Sequence, residues 1–154
     1  MATTYQAAKD EMFAAVYNML ISSLVTTLLG YTPDIRFSGV AEPNEPDRTK
    51  YWVRISLQVV TDQQISLMNA YQNALFQADG LLYIQIFCPR NKAASIDNGL
   101  IIALAVQNVF RNQSADGQVW YTKQRVQELP EDDLSYPILV STRFTYKTES
   151  QVIA

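Results

Sequence analysis

Tyr51-Trp52-Val53-Arg54-Ile55-Ser56-Leu57-Gln58-Val59-Val60 alternates side-chain character with a period of two. Tyr51, Val53, Ile55, Leu57 and Val59 point one way; Trp52, Arg54, Ser56 and Gln58 point the other. That period predicts a β-strand with one face on a core. A second strand is expected over Leu81 to Cys88, ended by Pro89. Both its sets, Leu82/Ile84/Ile86/Cys88 and Leu81/Tyr83/Gln85/Phe87, are largely apolar, so it is expected to be covered on both faces or to meet a neighbour.

Between these strands, Thr61 to Gly80 is too long for an ordinary hairpin loop. Gln63 to Ala78 carries no charge, is rich in Gln and Asn, and holds Ile65, Leu67, Met68, Tyr71, Leu75 and Phe76. A free loop would be more charged and less apolar. The composition predicts a long hairpin arm or a segment that packs on another subunit.

Outward from this pair, Thr3 to Leu29 predicts a long helix, with room for a bend near its middle. At 100° per residue Phe13, Val16, Tyr17, Leu20, Ile21, Leu24 and Leu28 share one arc, and Glu11, Ala15, Asn18, Ser22 and Thr26 the opposite one. Thr3 or Thr4 can cap the start and Gly30 the end. Tyr31 to Lys50 is irregular, with a short strand expected at Ile35 to Val40. Ala94 to Arg111 predicts a second helix, capped by Ser95 and apolar almost all round, hence the buried one. Gln118 to Leu129 and Tyr136 to Thr148 complete the strands. The order predicts one α+β domain spanning 1–154, an antiparallel or mixed sheet with two main helices packed on one face.

The 154-residue chain has net charge −3, one cysteine and no histidine. Without histidine there is no Ser-His-Asp triad, no Cys-His pair and no histidine metal ligand. Lone Cys88 cannot close an internal disulfide and fits a reducing compartment. The acidity argues against a generic nucleic-acid binder, which needs a basic face. Met12 to Pro33 is uncharged and long enough to span a bilayer. Asn18, Ser22, Ser23, Thr26 and Thr27 interrupt it, and no basic signal-peptide start precedes it. The expectation is a soluble cytoplasmic protein.

The layout resembles the phage tail-terminator family, in particular the lambda-type terminators and their minor-tail relatives. The resemblance lies in Tyr51-Trp52-Val53-Arg54-Ile55, in Gly80-Leu81-Leu82-Tyr83-Ile84-Gln85-Ile86-Phe87-Cys88-Pro89 and in Phe110-Arg111. It implies a non-enzymatic virion protein. Six copies would form a ring that caps the tail tube, ends its polymerisation and docks the head connector. Its partners would be itself, the tail tube protein and the head–tail connector protein. DNA would pass through the pore without sequence-specific binding. Its place would be the head-proximal end of the tail, after assembly in the host cytoplasm. The resemblance brings no catalytic residue, cofactor or metal site. A tail-completion or head–tail joining protein, or a tail-tube subunit, would share the same virion. From another class, a small-molecule binding domain or an enzyme working through carboxylates would need an enclosed polar pocket.

A ring interface needs two different patches on each subunit. Candidates are the neutral helix face at Asn18, Ser22 and Thr26 and the uncharged arm at Ile65, Met68, Tyr71, Leu75 and Phe76. Arg90, Lys92, Glu131, Asp132 and Asp133 are candidate pore or connector-facing charges. The acids, with Glu128, lack the spacing of a calcium loop and read as a solvated turn. Lys123 and Arg125 alternate on a strand, and with Arg90, Lys92 and Arg111 suit either DNA backbone or acidic protein, or are ordinary surface cations. Trp52 and Trp120 read as core residues or as interface anchors.

Overall fold

A computed structural model describes residues 3–65, 73–90, 95–111, 118–132 and 134–151. The elements are α1 (Tyr5–Leu20), α2 (Ser23–Leu29), β1 (Asp34–Phe37), β2 (Trp52–Gln64), β3 (Asn73–Pro89), α3 (Ser95–Arg111), β4 (Val119–Glu128) and β5 (Ser135–Gln151). The strands form one mixed sheet in the order β1-β2-β3-β5-β4. β1 runs parallel to β2 and every other neighbouring pair is antiparallel. This is an α+β architecture. α3 carries the chain from β3 to the far edge, where β4 starts and pairs back onto β5.

The core lies between the sheet and the helices. Val53 and Ile55 on β2, Leu82, Ile84, Ile86 and Cys88 on β3, and Ile138, Val140 and Phe144 on β5 are buried there. They meet Ile102, Ala103, Val106 and Phe110 of α3 and Ala8, Met12, Val16 and Leu20 of α1. The i, i+4 spacing of those four α1 residues makes a narrow stripe on one helix face.

That stripe departs from the expected arc. Val16 and Leu20 are buried, but Tyr17, Ile21 and Leu24 are exposed, at 42%, 40% and 52%. The core-facing stripe is rotated toward Ala8 and Met12, because a small alanine and a flexible methionine let the helix lie close to its neighbours. The long helix is also broken. α1 and α2 meet at a 45° bend, where Ser22 Oγ donates to Met19 O at 2.6 Å and Thr26 Oγ1 donates to Ser22 O at 3.0 Å. Hydroxyls that bond nearby carbonyls compete with the helical ladder and favour such breaks. Gly30, at φ +79°, closes α2 in the left-handed conformation. Among the described residues no single helix is long and apolar enough to cross a membrane.

α3 is buried on one side only. It packs on the sheet as expected, but Ile101 and Leu104 are exposed, so its apolar outer side is not covered. Its contact with the sheet is close because Gly99 has no side chain. A Cβ there would overlap Cys88 Sγ and lie 2.9 Å from Ile138 Cδ1. Burial pushes the Cys88 thiol up to about 12, so it remains a neutral packing group.

The strands run further than the alternation suggested, and Thr61 to Gln64 and Asn73 to Gly80 continue β2 and β3 as a hairpin arm. β5 follows along β3 as far as Gln151, making the arm three-stranded. Periodicity missed this because the buried side chains of β3 over this stretch are the small Ala74 and Ala78, which leave no strong apolar alternation. The expected alternation of Lys123 with Arg125 also fails. A bulge falls between Thr122 and Arg125, with Lys123 at φ +55°. At an edge strand such a bulge discourages pairing with another chain.

Gly99→Ala is expected to lose about 1–3 kcal/mol through overpacking, offset by about 1 kcal/mol of helix propensity. Cys88→Ala should reverse most of that loss in the double variant by vacating the space. Urea unfolding midpoints of the two single variants and the double variant measure the coupling. Additive effects would show that the contact between α3 and β3 is looser than described.

Candidate assembly surfaces

Two uncovered apolar surfaces stand apart on the subunit. The first is an open groove of about 390 Å³ between α1 and the chain that follows β1. Phe13, Ala14 and Tyr17 form one wall, Phe37 and Val40 the other, and Gln6, Lys9, Asp10, Asn18 and Ser38 the rim. Phe13 and Phe37 hold the floor, with ring centroids 5.1 Å apart. Lys9 Nζ lies 5.4 Å from the Phe13 centroid. Val40, 57% exposed, and Tyr17 are the apolar groups left open. The groove exists because the core takes the Ala8 side of α1 and leaves the Phe13–Tyr17 side over β1.

The second surface is the arm. Val59, Val60 and Ile65 are exposed on it, Val60 at 56%. Val60 falls at the β2 bulge between Val59 and Thr61. The extra residue raises the local twist where the arm leaves the body. Gly80, paired to both Val59 and Phe144, marks the same junction. A Cβ at Gly80 would overlap the Phe144 ring and Gln58 O, so the aromatic ring takes the room that the missing side chain leaves.

Asp79 ties the base of the arm together. Thr145 Oγ1 donates to its Oδ1 at 2.5 Å, and Thr61 Oγ1 and Gln77 Nε2 reach Oδ2 at 3.3 and 3.5 Å. One carboxylate thus links β2, β3 and β5. The Thr145 hydrogen bond, with those from Gln77 and Thr61 and the charge of Arg143, holds its pKa below the ordinary value against a small cost of burial.

The residues singled out from sequence fall in three groups. Asn18 lies on the rim of the groove. Ser22 and Thr26 are half-buried, with their hydroxyls turned to their own helix backbone. Ile65 is exposed where its N–H donates to Leu75 O at 2.8 Å, and Leu75 and Phe76 are half-buried on the arm. Arg90 sits over the Tyr136 ring at 5.4 Å, donates to Asp132 O and lies 3.8 Å from Glu131 Oε2. Asp132 Oδ1 accepts from Leu134 N and Ser135 N at 2.8 and 2.6 Å, and these two backbone bonds keep its carboxyl below the usual range. This is a turn brace, with Arg90 reaching from the end of β3. Met68, Tyr71, Lys92 and Asp133 lie outside the described residues. Among the described residues no three His, Cys, Asp or Glu side chains converge as a metal site.

The two tryptophans part company. Trp52 is buried but lies outside the core cluster, stacked on Phe87 at 4.0 Å on the other side of the sheet. Trp120 is 43% exposed. The groove residues Phe37 and Val40 were missed from sequence. Their nearest signal was the interrupted stretch after Pro33, which gave no partner for them.

No protein-family model and no curated protein matches the chain. Among solved structures, 27 chains match, so the architecture recurs. One of them, which bears no functional name, superposes with a TM-score of 0.58 over 94% of this chain and 97% of its own length, at 12% identity. A likeness at that identity shows the fold alone.

Asp79 has a depressed folded-state pKa. Its stabilisation is therefore complete above the unfolded value of about 3.9 and is lost as pH falls through the folded value. Asp79→Asn should lower the melting temperature at neutral pH. The gap from wild type should close as the pH falls below the unfolded value. A gap independent of pH, measured by circular dichroism melts, would remove the charge from the account.

Proposed function

We propose that this chain is a non-enzymatic virion protein, a phage tail terminator that assembles head to tail into a ring of its own copies. The observation that carries the reading is the presence of two unlike uncovered apolar surfaces, groove and arm, on one subunit. A heterologous interface joins one patch to a different patch on the next copy, and a closed ring satisfies both on every subunit. The three stretches that resemble tail terminators fall on β2, β3 and the end of α3, the elements that build the body and launch the arm. In this reading the ring caps the tail tube, ends its polymerisation and meets the head connector, with six copies as the family resemblance implies. The outward face of α3, with Ile101 and Leu104, adds a further apolar area for the tube or connector.

Light scattering of the purified protein is expected to give a closed oligomer of one size. Tyr17→Lys spoils the groove and Val60→Lys spoils the arm, and each variant should be monomeric. A mixture of the two should form dimers and nothing larger, because only one good groove meets one good arm. A mixture that stays monomeric would overturn the head-to-tail pairing of these surfaces. Electron microscopy with tail tubes should place the ring at tube ends and show polymerisation stopped there. Open-ended tubes of the protein alone would indicate a tube subunit instead.

A further inference from the structure

The chain is acidic as a whole, but the fold does not spread its charges evenly. The register places Arg54, Arg143, Lys147 and Arg125 on the sheet face turned away from the helices. Arg54 pairs with Gln85, Arg125 with Ser141 and Lys147 with Gln77, each beside a core residue that points the other way. Arg54, Arg125 and Arg143 are exposed and Lys147 is half-buried. None of the four makes an ion pair among the described residues. Arg54 lies 5.5 Å from the Trp52 ring and Lys147 lies 5.8 Å from the Trp120 ring, contacts that orient a cation without neutralising it. Arg36 shares this face but is paired with Asp34 at 2.8 Å. Asp79 is the other carboxylate on it among the described side chains, and it is occupied by Thr145. Asp62 on β2 and Glu128 on β4 are level with Ala78 and Ile138, which belong to the core on the helix side, and the other described carboxylates lie on the helices, in the loop before β2 and between β4 and β5.

We propose that this open sheet face binds the phosphate backbone of nucleic acid without sequence preference. An acidic protein surface would also be attracted, but three features favour the nucleic acid. Protein interfaces are depleted of charge at their centre, whereas Arg54 on β2 and Arg143 on β5 stand on inner strands of this face, with Arg125 beside Arg143 on the edge strand β4. Neutral donors lie between them, Ser56, Gln58, Gln85, Ser141 and Gln127, of the kind that contact phosphate oxygens. Aromatic rings are interleaved with the cations, as on single-strand binding surfaces, with Tyr83 half-buried at the centre and Trp120 exposed at the edge. Strand spacing and rise put the Cα atoms of Arg125 and Arg143 about 8 Å apart, so their long side chains reach successive phosphates. The face holds one small concavity of about 130 Å³, at Val60, Gly80, Leu81 and Arg143, and its spread of cations over several strands suits an extended polyanion better than a small one. The inference stands on the single subunit and does not depend on ring formation.

Fluorescence anisotropy with a labelled random-sequence DNA duplex, and with its separated strands, tests the proposal. Wild type should bind at low salt. If Arg54, Arg125 and Arg143 each neutralise one phosphate of the duplex, affinity should fall roughly 40-fold from about 50 to about 200 mM salt. Each Arg→Gln substitution at these positions should reduce the slope of log affinity against log salt by about 0.9. Arg111→Gln on α3 changes the net charge equally and should leave the slope unchanged. All four variants are judged on samples whose circular dichroism matches wild type, and glutamine at an exposed strand position is not expected to unfold the chain. Absence of binding at low salt would overturn the proposal. So would equal losses in the Arg125 and Arg111 variants, or equal competition by polyglutamate. Preference for the separated strands would assign Tyr83 and Trp120 a stacking role. Light scattering on the same samples reports assembly separately, so failure of the ring would not be mistaken for failure of this face.

Discussion

The structure depends on the backbone of β3 being paired on both sides. From Phe76 to Phe87 it pairs with β2, and from Asn73 to Pro89 it pairs with β5. Buried backbone amides and carbonyls must find partners, and in β3 they find them within the sheet along almost the whole strand. The pairing does not stop where the helices stop. Past Gly80 the paired residues Ala78 and Tyr146 still belong to the core, and beyond them the sheet runs on as the arm, so body and arm are one hydrogen-bonded unit. The bulge at Val60, the Phe144 ring over Gly80 and the Asp79 carboxylate all fall at this crossing. Each solves a local problem there: twist, the missing side chain, and three strands to be held together where the core ends.

The second consequence is a one-sided sheet. α1 and α3 cover a single face, and the other stays open with cations, neutral donors and aromatic rings. The apolar surfaces that the core does not use fall elsewhere, in the groove beside α1, on the arm and on the outer side of α3. Buried apolar area is the main driving force for association, whereas exposed cations act mainly through steering and salt-sensitive attraction. The two kinds of surface meet at the base of the arm, where Val60 lines a small pocket with Leu81 and Arg143. The apolar areas underlie the proposed ring and the cations the proposed phosphate contact.

Strand identity and helix identity could be read before the fold was known. The alternation from Tyr51 to Val60, Pro89 after Cys88, and Gly30 after Leu29 each act over a few residues through local sterics and burial. The uncharged, apolar character of residues 63–78 likewise announced an arm. The charge clusters were less informative. Asp132 and Arg90 attract notice in sequence, but their main partners are backbone atoms of a turn, which composition does not reveal. The mild acidity of the chain pointed away from nucleic acid. Net charge is a sum over residues, and it carries no information about which of them share a face.

What the amino-acid order determined was the α+β class, the strand and helix segments and the absence of histidine chemistry. These follow from short-range periodicity and from residue type. Tertiary structure alone decided which side of α1 faces the core, that Ser22 and Thr26 bend the helix, and that Phe13 and Tyr17 line a groove with Phe37 and Val40. It also decided that Arg54, Arg125 and Arg143 lie together on one face. The reason is physical. A residue's periodicity says that one side of its element is apolar, but which neighbours it meets depends on pairing between strands distant in sequence and on how closely Ala8 and Gly99 let the helices approach.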